Sequence, residues 1–274
     1  MDWGKAKNIL IIVFLILNIF LLGNISLNAL SQNNSKEAIA ITESILQSKN
    51  IRLESKIPSF TGAMGKIEIN DEAYFNMQRA AAKLIGSKVA LPSELKSGQR
   101  IANQNKEFTM EDNAAFTYRD SNPQEKWDVT QKKSLEKRIR KFISDIGISE
   151  AEFVLDSYDQ LSDGSIKLVF VHKYQGLYIF SNTMTAVVTE SGVKELACSI
   201  KKPVGISRDA QKVIPAYKIL LTSYGNLPNT VITGIDIGYN MDILDKDMKT
   251  FYAAPVWRIK TKDRKPEYFD AIIG

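Results

Sequence analysis

The feature that most constrains this chain is an uncharged stretch of 22 residues that runs from Ile9 to Leu30. A helix needs about 20 mainly apolar residues to cross the roughly 30 Å hydrocarbon layer of a membrane. Lipid offers no hydrogen-bond partners to an open backbone, so a single spanning segment has to be helical. The sequence therefore predicts one transmembrane helix at residues 8–30.

The charges on either side of this stretch predict its orientation. Lys5 and Lys7 come directly before it, and the next basic residue is Lys36. Because lysine and arginine are enriched on the cytoplasmic side, we expect residues 1–7 to be a cytoplasmic tail, with Trp3 at the inner interface. The predicted location is the cell membrane, crossed once, with the N-terminus in the cytoplasm and the bulk extracellular.

A cleaved signal peptide is the alternative interpretation of this segment. Its most apolar part, Ile9–Leu22, is short enough to be the hydrophobic region of such a peptide. However, no Ala-x-Ala type of cleavage site follows it. The chain also lacks the cysteine of a lipoprotein signal, since its single cysteine is Cys198. We therefore favour a retained anchor.

Asn18 lies near the middle of the predicted span. An amide in lipid is costly unless it finds a hydrogen-bond partner. One interpretation is a bond to a partner transmembrane helix, on a face that Asn18 shares with Ile11, Leu15 and Leu22. The other is a bond from Asn18 to its own backbone. The sequence leaves both open.

The remaining composition is that of an ordinary globular protein, at 44% hydrophobic and 24% charged residues. One cysteine excludes a disulfide framework within the chain. An extracytoplasmic portion without disulfides suits a Gram-positive type of envelope. The net charge of +5 is spread over the chain without a dense basic cluster, so we expect no nucleic-acid partner.

A first extracytoplasmic α+β subdomain is predicted at residues 36–125, after a short polar linker at 31–35. Apolar residues at helical spacing predict helices at Lys36–Ser48 and Asp71–Ile85. Short strands are predicted at residues 51–53, 66–69, near 108 and at 115–118.

A second extracytoplasmic α+β subdomain is predicted at residues 131–274, after a boundary at Asn122–Asp128. Its predicted helices are Gln131–Ile146 and Arg208–Tyr224. Turn residues such as Asp163-Gly164 and Glu190-Ser191-Gly192 indicate hairpins, and therefore antiparallel sheets. Strands are predicted at residues 153–158, 165–174, 184–189, 193–200, 231–239, 251–259 and 266–272. The fold class is thus α+β, with each helix packed on a sheet.

The predicted helix Gln131–Ile146 carries a strongly basic surface. This surface could contact anionic lipid or could simply be solvated, and we favour the solvated face. Its basic residues are Lys132, Lys133, Lys137, Arg138, Arg140 and Lys141.

The sequence marks no catalytic, cofactor or metal site. His172 is the only histidine and lies on an apolar strand face, which favours packing. Cys198 has apolar neighbours of the same strand parity and is expected to be a small buried hydrophobe. Asp242, Asp245 and Asp247 lack the glycine and the spacing of a calcium loop. No phosphate loop or Gly-x-Ser-x-Gly motif occurs, so we expect no enzymatic activity.

Two stretches of the sequence are distinctive. The first is Met1–Lys7 (MDWGKAK), followed by FLILNIFL at Phe14–Leu21. The second is PVWRI at Pro255–Ile259, followed by YFDAIIG at Tyr268–Gly274. These stretches, with the single-anchor layout, resemble the YycI (WalI) family.

That resemblance implies a regulatory role. Members of the family are membrane-anchored partners of an essential sensor histidine kinase, WalK (YycG), which controls cell-wall metabolism in Gram-positive bacteria. They act with a sister protein, YycH, through transmembrane and extracytoplasmic contacts. The implied partners are a WalK/YycG-like kinase, a YycH-like protein and the lipid bilayer. The candidate contact residues are Trp3, Lys5, Asn18, Trp257 and Gly274.

Other interpretations stay open. Helix-plus-strands modules of this kind are similar to the PepSY type, so the protein could instead inhibit or chaperone an extracytoplasmic protease or wall enzyme. A wall hydrolase would need an acidic pair, which the sequence does not mark. Trp257 shares strand parity with Phe251 and Ile259, which suits core packing, whereas an exposed tryptophan would suit an interface.

Overall fold

The computed structural model describes residues 11, 13, 14, 16–18, 21, 35–86, 89–149, 152–225, 227–241 and 250–272. Its helices are α1 (35–48), α2 (Met77–Ile85), α3 (Lys132–Asp145) and α4 (Ala216–Ser223). Its strands are β1 (Arg52–Leu53), β2 (Ala63–Met64), β3 (Ile67–Ala73), β4 (Arg100–Asn103), β5 (Lys106–Asp112), β6 (Ala115–Asp120), β7 (Phe153–Gln160), β8 (Ile166–Tyr174), β9 (Leu177–Thr189), β10 (Gly192–Ser199), β11 (Lys201–Ile206), β12 (Gln211–Lys212), β13 (Val231–Met241), β14 (Thr250–Thr261) and β15 (Glu267–Asp270).

The chain divides into two compact units, each built from segments that lie far apart in sequence. Unit 1 comprises Met1–Gly62, Val213–Asp236 and Arg258–Phe269, and unit 2 comprises Ala63–Lys212, Ile237–Trp257 and Asp270–Gly274. The consecutive subdomains predicted at 36–125 and 131–274 stay a prediction.

Unit 2 is built on a sheet whose main path is β11-β3-β14-β13-β9-β10-β6-β5-β4. Strand β8 pairs with β9 and β7 pairs with β8. Most of these pairs are antiparallel, and β13 pairs with β9 in parallel at Gly238–Tyr178 and Tyr239–Ile179. The short strands β2 and β12 form a separate antiparallel pair.

The core of unit 2 lies between this sheet and the helices α2 and α3. Both helices are amphipathic, and each buries one apolar stripe, as a surface helix on a sheet must. The buried residues include Ala80 and Leu84 of α2, Leu135, Ile139 and Ile143 of α3, and Phe108, Phe116, Leu168, Phe170, Met184 and Leu196 of the strands.

Unit 1 also contains both helices and strands. Strand β1 pairs with β13 in parallel, from Arg52–Val231 to Leu53–Ile232. Leu46 of α1 and Leu220 of α4 are fully buried. The Tyr224 hydroxyl donates to the Glu267 carboxylate at 3.0 Å, and burial followed by this hydrogen bond raises the pKa of Tyr224.

The predicted fold class is confirmed at the level of an α+β protein, mostly sheet and mainly antiparallel. The predicted helices Lys36–Ser48 and Gln131–Ile146 correspond to α1 and α3 within one or two residues. The hairpins predicted at Asp163-Gly164 and at 190–192 join β7 to β8 and β9 to β10.

The helix predicted at Asp71–Ile85 is wrong in its first half. Residues Ile67–Ala73 form β3, and the helix begins only at Met77. Asn76 is the N-cap, and its side-chain oxygen accepts a hydrogen bond from the Arg79 amide at 2.9 Å. Asparagine is favoured at this position for that reason, so the sequence carried the signal for the later start.

The helix predicted at Arg208–Tyr224 is also too long. Gln211–Lys212 form β12, and α4 covers Ala216–Ser223 with Pro215 as its N-cap residue. Proline lacks a backbone N–H and disfavours helical backbone in the residue before it. A helix that contains Tyr217 can therefore start at Pro215 but cannot run through it.

One hairpin was not predicted. Gln175 and Gly176 both have positive φ values, 50° and 85°, and they join β8 directly to β9. Two consecutive residues with positive φ form a tight turn whose twist matches the twist of the two strands that it joins. As a consequence β9 begins at Leu177 rather than near Met184, where the sequence placed the strand.

The predicted transmembrane helix at 8–30 and the tail at 1–7 lie mostly outside the described residues. The described residues between 11 and 21 are helical. Within the described part of the chain, no helix combines the length and the apolar character that a membrane crossing needs.

The role of Asn76 as the N-cap of α2 can be tested directly. Replacing Asn76 with Ala removes the acceptor for the Arg79 amide and should lower the free energy of unfolding by about 1 kcal/mol. Asn76→Ser keeps an acceptor and should stay within a few tenths of the parent value. Urea denaturation of the full-length protein measures both. Equal losses in the two variants would contradict the capping role.

Candidate interaction surfaces

The described helical residues near the N-terminus expose a largely apolar surface. Six of them are large hydrophobic residues with exposures from 47% to 65%. A soluble protein rarely leaves such a surface open, because covering apolar area is favourable. This surface therefore fits lipid or another protein. The six residues are Ile11, Val13, Phe14, Ile16, Leu17 and Leu21.

Asn18 is the one polar residue among the described positions of this segment. Its side-chain N–H donates to the Phe14 carbonyl at 2.9 Å. The structure thus contains the bond to its own backbone that was one of two interpretations. A primary amide also has a second N–H and a carbonyl oxygen, so this bond leaves capacity for a partner helix. Contact with a partner stays a prediction.

Trp257 is fully buried in β14, at 0% exposure. This location favours the core-packing interpretation over the interface one, because a buried ring offers no area to a partner. The other candidate contacts Trp3, Lys5 and Gly274 lie outside the described residues, as do Asp242, Asp245 and Asp247.

The histidine of the chain lies in a buried polar cluster of unit 2. His172 is at 0% exposure, and its ring stacks on Phe153 with the ring centres 5.1 Å apart. Its Nε2 lies 3.4 Å from the Glu152 carboxylate. Its Nδ1 lies 3.2 Å from the side-chain nitrogen of Asn182.

The orientation of Asn182 determines which ring nitrogen of His172 carries the proton. Its amide N–H donates to the Lys201 carbonyl at 2.7 Å, and its amide oxygen accepts from the Lys201 N–H at 3.1 Å. Both bonds require the same orientation of the amide, so its second N–H faces His172. Nδ1 must then accept and Nε2 must donate to Glu152, which is the neutral ring.

The electrostatics of the cluster agree with this assignment. Burial lowers the pKa of His172, with Glu152 acting in the opposite direction. A hydrogen bond with Glu152, followed by burial, raises the pKa of Tyr74 to about 12. Glu152 therefore accepts from two neutral donors.

Sequence reasoning predicted that His172 is packed, and its burial agrees. It missed Asn182, although a signal was present. Asn182 shares strand parity with Met184, Ala186 and Val188, so an amide lies on an otherwise apolar face. Buried polar groups have to be hydrogen-bonded, and this position therefore indicated a structural hydrogen bond.

Cys198 is buried among core residues at 2% exposure. Burial raises the pKa of its thiol well above the usual range. A thiol that stays protonated is a poor nucleophile, so the expectation of a small buried hydrophobe agrees with its surroundings.

The basic surface of α3 is partly neutralised by the protein itself. Arg140 contacts Glu136 at 2.7 Å and Arg138 contacts Glu125 at 3.4 Å. The exposed lysines of this helix are Lys132, Lys133, Lys137 and Lys141. Arg138 also lies over the Trp127 ring at 4.6 Å. The two arginines thus help to attach the helix, and the lysines are exposed. A solvated face, rather than a contact with anionic lipid, stays a prediction for them.

The neutral state of His172 predicts a pH dependence. The pKa of His172 is lowered from 6.5 in the folded protein, so below pH 6.5 the unfolded chain binds a proton that the folded chain does not. The free energy of unfolding should therefore fall as the pH drops from about 7.5 to about 5.5.

His172→Gln is the matched control, because the chain has 1 histidine. The carboxylates titrate equally in both proteins, so the loss of stability over this pH range should be smaller in the variant. Denaturant unfolding at the two pH values measures the difference. An identical pH dependence in both proteins would rule out the neutral, buried histidine as its source.

A family model described as YycI protein matches residues 30–272. A search of curated protein sequences gave no match. A solved structure of an uncharacterized protein from Eubacterium rectale ATCC 33656 aligns with a TM-score of 0.53 and 12% sequence identity, over 85% of this chain and 97% of that chain. At this identity the structural likeness shows a shared fold alone. The family match spans most of the sequence, and the chain belongs to the YycI family.

Proposed function

We propose that this protein is a membrane-anchored regulator that binds and modulates an essential sensor histidine kinase of the WalK/YycG type. In this proposal the helix at 8–30 crosses the membrane once, residues 1–7 lie in the cytoplasm and the bulk lies outside. The kinase belongs to a two-component system that controls cell-wall metabolism. The observation that carries the proposal is membership of the YycI family, a regulatory family associated with that kinase.

The exposed apolar helical residues near the N-terminus support the anchor. Their side chains have no apolar cover from the described part of the chain, and lipid or a partner helix would supply one. Lys5 and Lys7 before the segment support a cytoplasmic N-terminus. A YycH-like sister protein is proposed as a second partner on the same ground of family membership.

Binding alone can regulate a kinase. A kinase that exchanges between two signalling states responds to any protein that prefers one of them. A preference of about tenfold corresponds to about 1.4 kcal/mol, within the range of ordinary allosteric coupling. Contacts along one transmembrane helix, together with contacts outside the membrane, are sufficient for such a preference.

The direct test is an affinity pull-down of the full-length protein, extracted from membranes, with partners identified by mass spectrometry. We expect recovery of a sensor histidine kinase and of a second single-span protein. Recovery of a protease or a wall hydrolase without a kinase would contradict the proposal. That result would favour the PepSY-like inhibitor or chaperone instead.

The contribution of Asn18 can be separated in the same experiment. Asn18→Leu removes the interhelical hydrogen-bonding capacity and should lower the recovered kinase by about threefold, since such bonds average about 0.6 kcal/mol in membranes. Asn18→Gln keeps a primary amide at the same position and is the matched control, which should leave recovery close to that of the parent. Equal recovery with Asn18→Leu and with the parent would show that Asn18 bonds only its own backbone.

A further inference from the structure

Unit 2 contains an open cleft of about 410 Å³ beside the C-terminal end of α2. The β4–β5 turn, the end of β6, the segment that follows β6, one residue of α3 and the start of β10 complete its walls. Its volume is within the ~300–1,000 Å³ range of small-molecule sites. We call it the amide cleft, and the residues that define it here are Lys83, Asn105, Lys106, Asp120, Asn122 and Phe142.

The distinctive group in the amide cleft is the Asp120 carboxylate. Asp120 is 6% exposed. One of its oxygens accepts from the Asn122 backbone N–H at 3.0 Å, and the other lies 3.4 Å from the Tyr118 hydroxyl. Among the described residues, Asp120 takes part in no ion pair. A buried carboxylate without a cation is unusual, because such groups are normally paired.

The charge of Asp120 affects the pKa of the neighbouring tyrosine, Tyr118. Burial, followed by the charge of Asp120, raises the pKa of Tyr118. Tyr118 therefore remains a neutral donor at physiological pH and does not balance the carboxylate. A ligand that brings an ammonium group into the cleft would balance it.

Amide side chains line the same cleft, and among them the Gln124 side-chain N–H donates to the Asn122 side-chain oxygen at 2.7 Å. Asn105 and Gln104 come from the β4–β5 turn, and Asn122 and Gln124 from the segment after β6. Each primary amide offers both a donor and an acceptor. A peptide group has one of each, so such a wall is complementary to a short stretch of peptide backbone.

Two lysines and one further carboxylate, Glu125, which pairs with Arg138, complete the charges of the cleft. Lys83 lies in the last turn of α2, and Lys106 lies opposite Asp120 in the pairing of β5 with β6. The cleft thus presents a buried anion with cations nearby. This arrangement fits a molecule that has an ammonium group at one end and a carboxylate at the other, and it disfavours a plain anion.

We propose that the amide cleft binds a short peptide with a free amino terminus, whose ammonium group pairs with Asp120. The peptide backbone hydrogen-bonds to the amide side chains, and its carboxylate meets Lys83 or Lys106. The proposal does not depend on a kinase partner, since binding is measured on the purified protein alone.

Isothermal titration calorimetry of the full-length protein with trialanine tests this. We expect saturable binding with a Kd below about 1 mM. N-acetyl-trialanine lacks the ammonium group and should bind at least about tenfold more weakly, since a hydrogen bond between charged groups is lost. Trialanine amide keeps the ammonium group and should lose less affinity.

Variants locate the site. Asp120→Asn should weaken the binding of trialanine at least about tenfold, whereas Asp159→Asn, an equal change of charge at an exposed position of β7, should have no effect. The comparison of the two peptides on the parent protein stands even if Asp120→Asn fails to fold. Absence of saturable binding by trialanine, equal affinity for the acetylated peptide, or equal affinity in a folded Asp120→Asn variant would overturn the proposal. Binding of chitotriose without binding of trialanine would do so as well and would indicate a saccharide site.

Discussion

Strand β9 is the element on which unit 2 depends, because it pairs with β8, β10 and β13. Its pairing with β8 is irregular beside His172, and at this irregularity Asn182 forms two hydrogen bonds with the main chain of Lys201. Strand β10 pairs with β9 as far as Ser199. Lys201 then begins β11, which pairs with β3 instead. One side chain therefore stabilises the point at which the strand changes its neighbour. The neutral state of His172 follows from the orientation that these bonds impose on Asn182.

The sequence predicted the elements whose pattern is local and periodic. The apolar stripe of α3 and the turn at Asp163-Gly164 are examples, since spacing and turn chemistry determine both. It failed where one residue outweighs a periodic pattern. Pro215 prevents a helix from running through it into α4, and Asn76 caps α2 so that this helix begins at Met77. Both residues are visible in the sequence, but the apolar periodicity on either side masked their effect.

The candidate sites were less predictable, because they depend on contacts between distant segments. The burial of His172 followed from strand parity, but its partners Glu152 and Asn182 are known only from the pairing of β8 with β7 and with β9. The amide cleft joins α2 to residues around Asp120, which lie more than thirty positions later in the chain. No local pattern indicates that such segments meet. Trp257 illustrates the reverse case, because parity suggested burial and the structure places it in the core.

Family membership associates the chain with regulation of a sensor kinase, and the exposed apolar helical residues near the N-terminus support a contact with lipid or another helix. The most direct test exchanges residues 8–30 for an unrelated single-span helix of equal length and orientation. Kinase-dependent transcription is then compared with that of the parent and of a deletion strain. The account predicts output that resembles the deletion strain, with the exchanged protein still in the membrane. Output equal to the parent would contradict regulation through the helix.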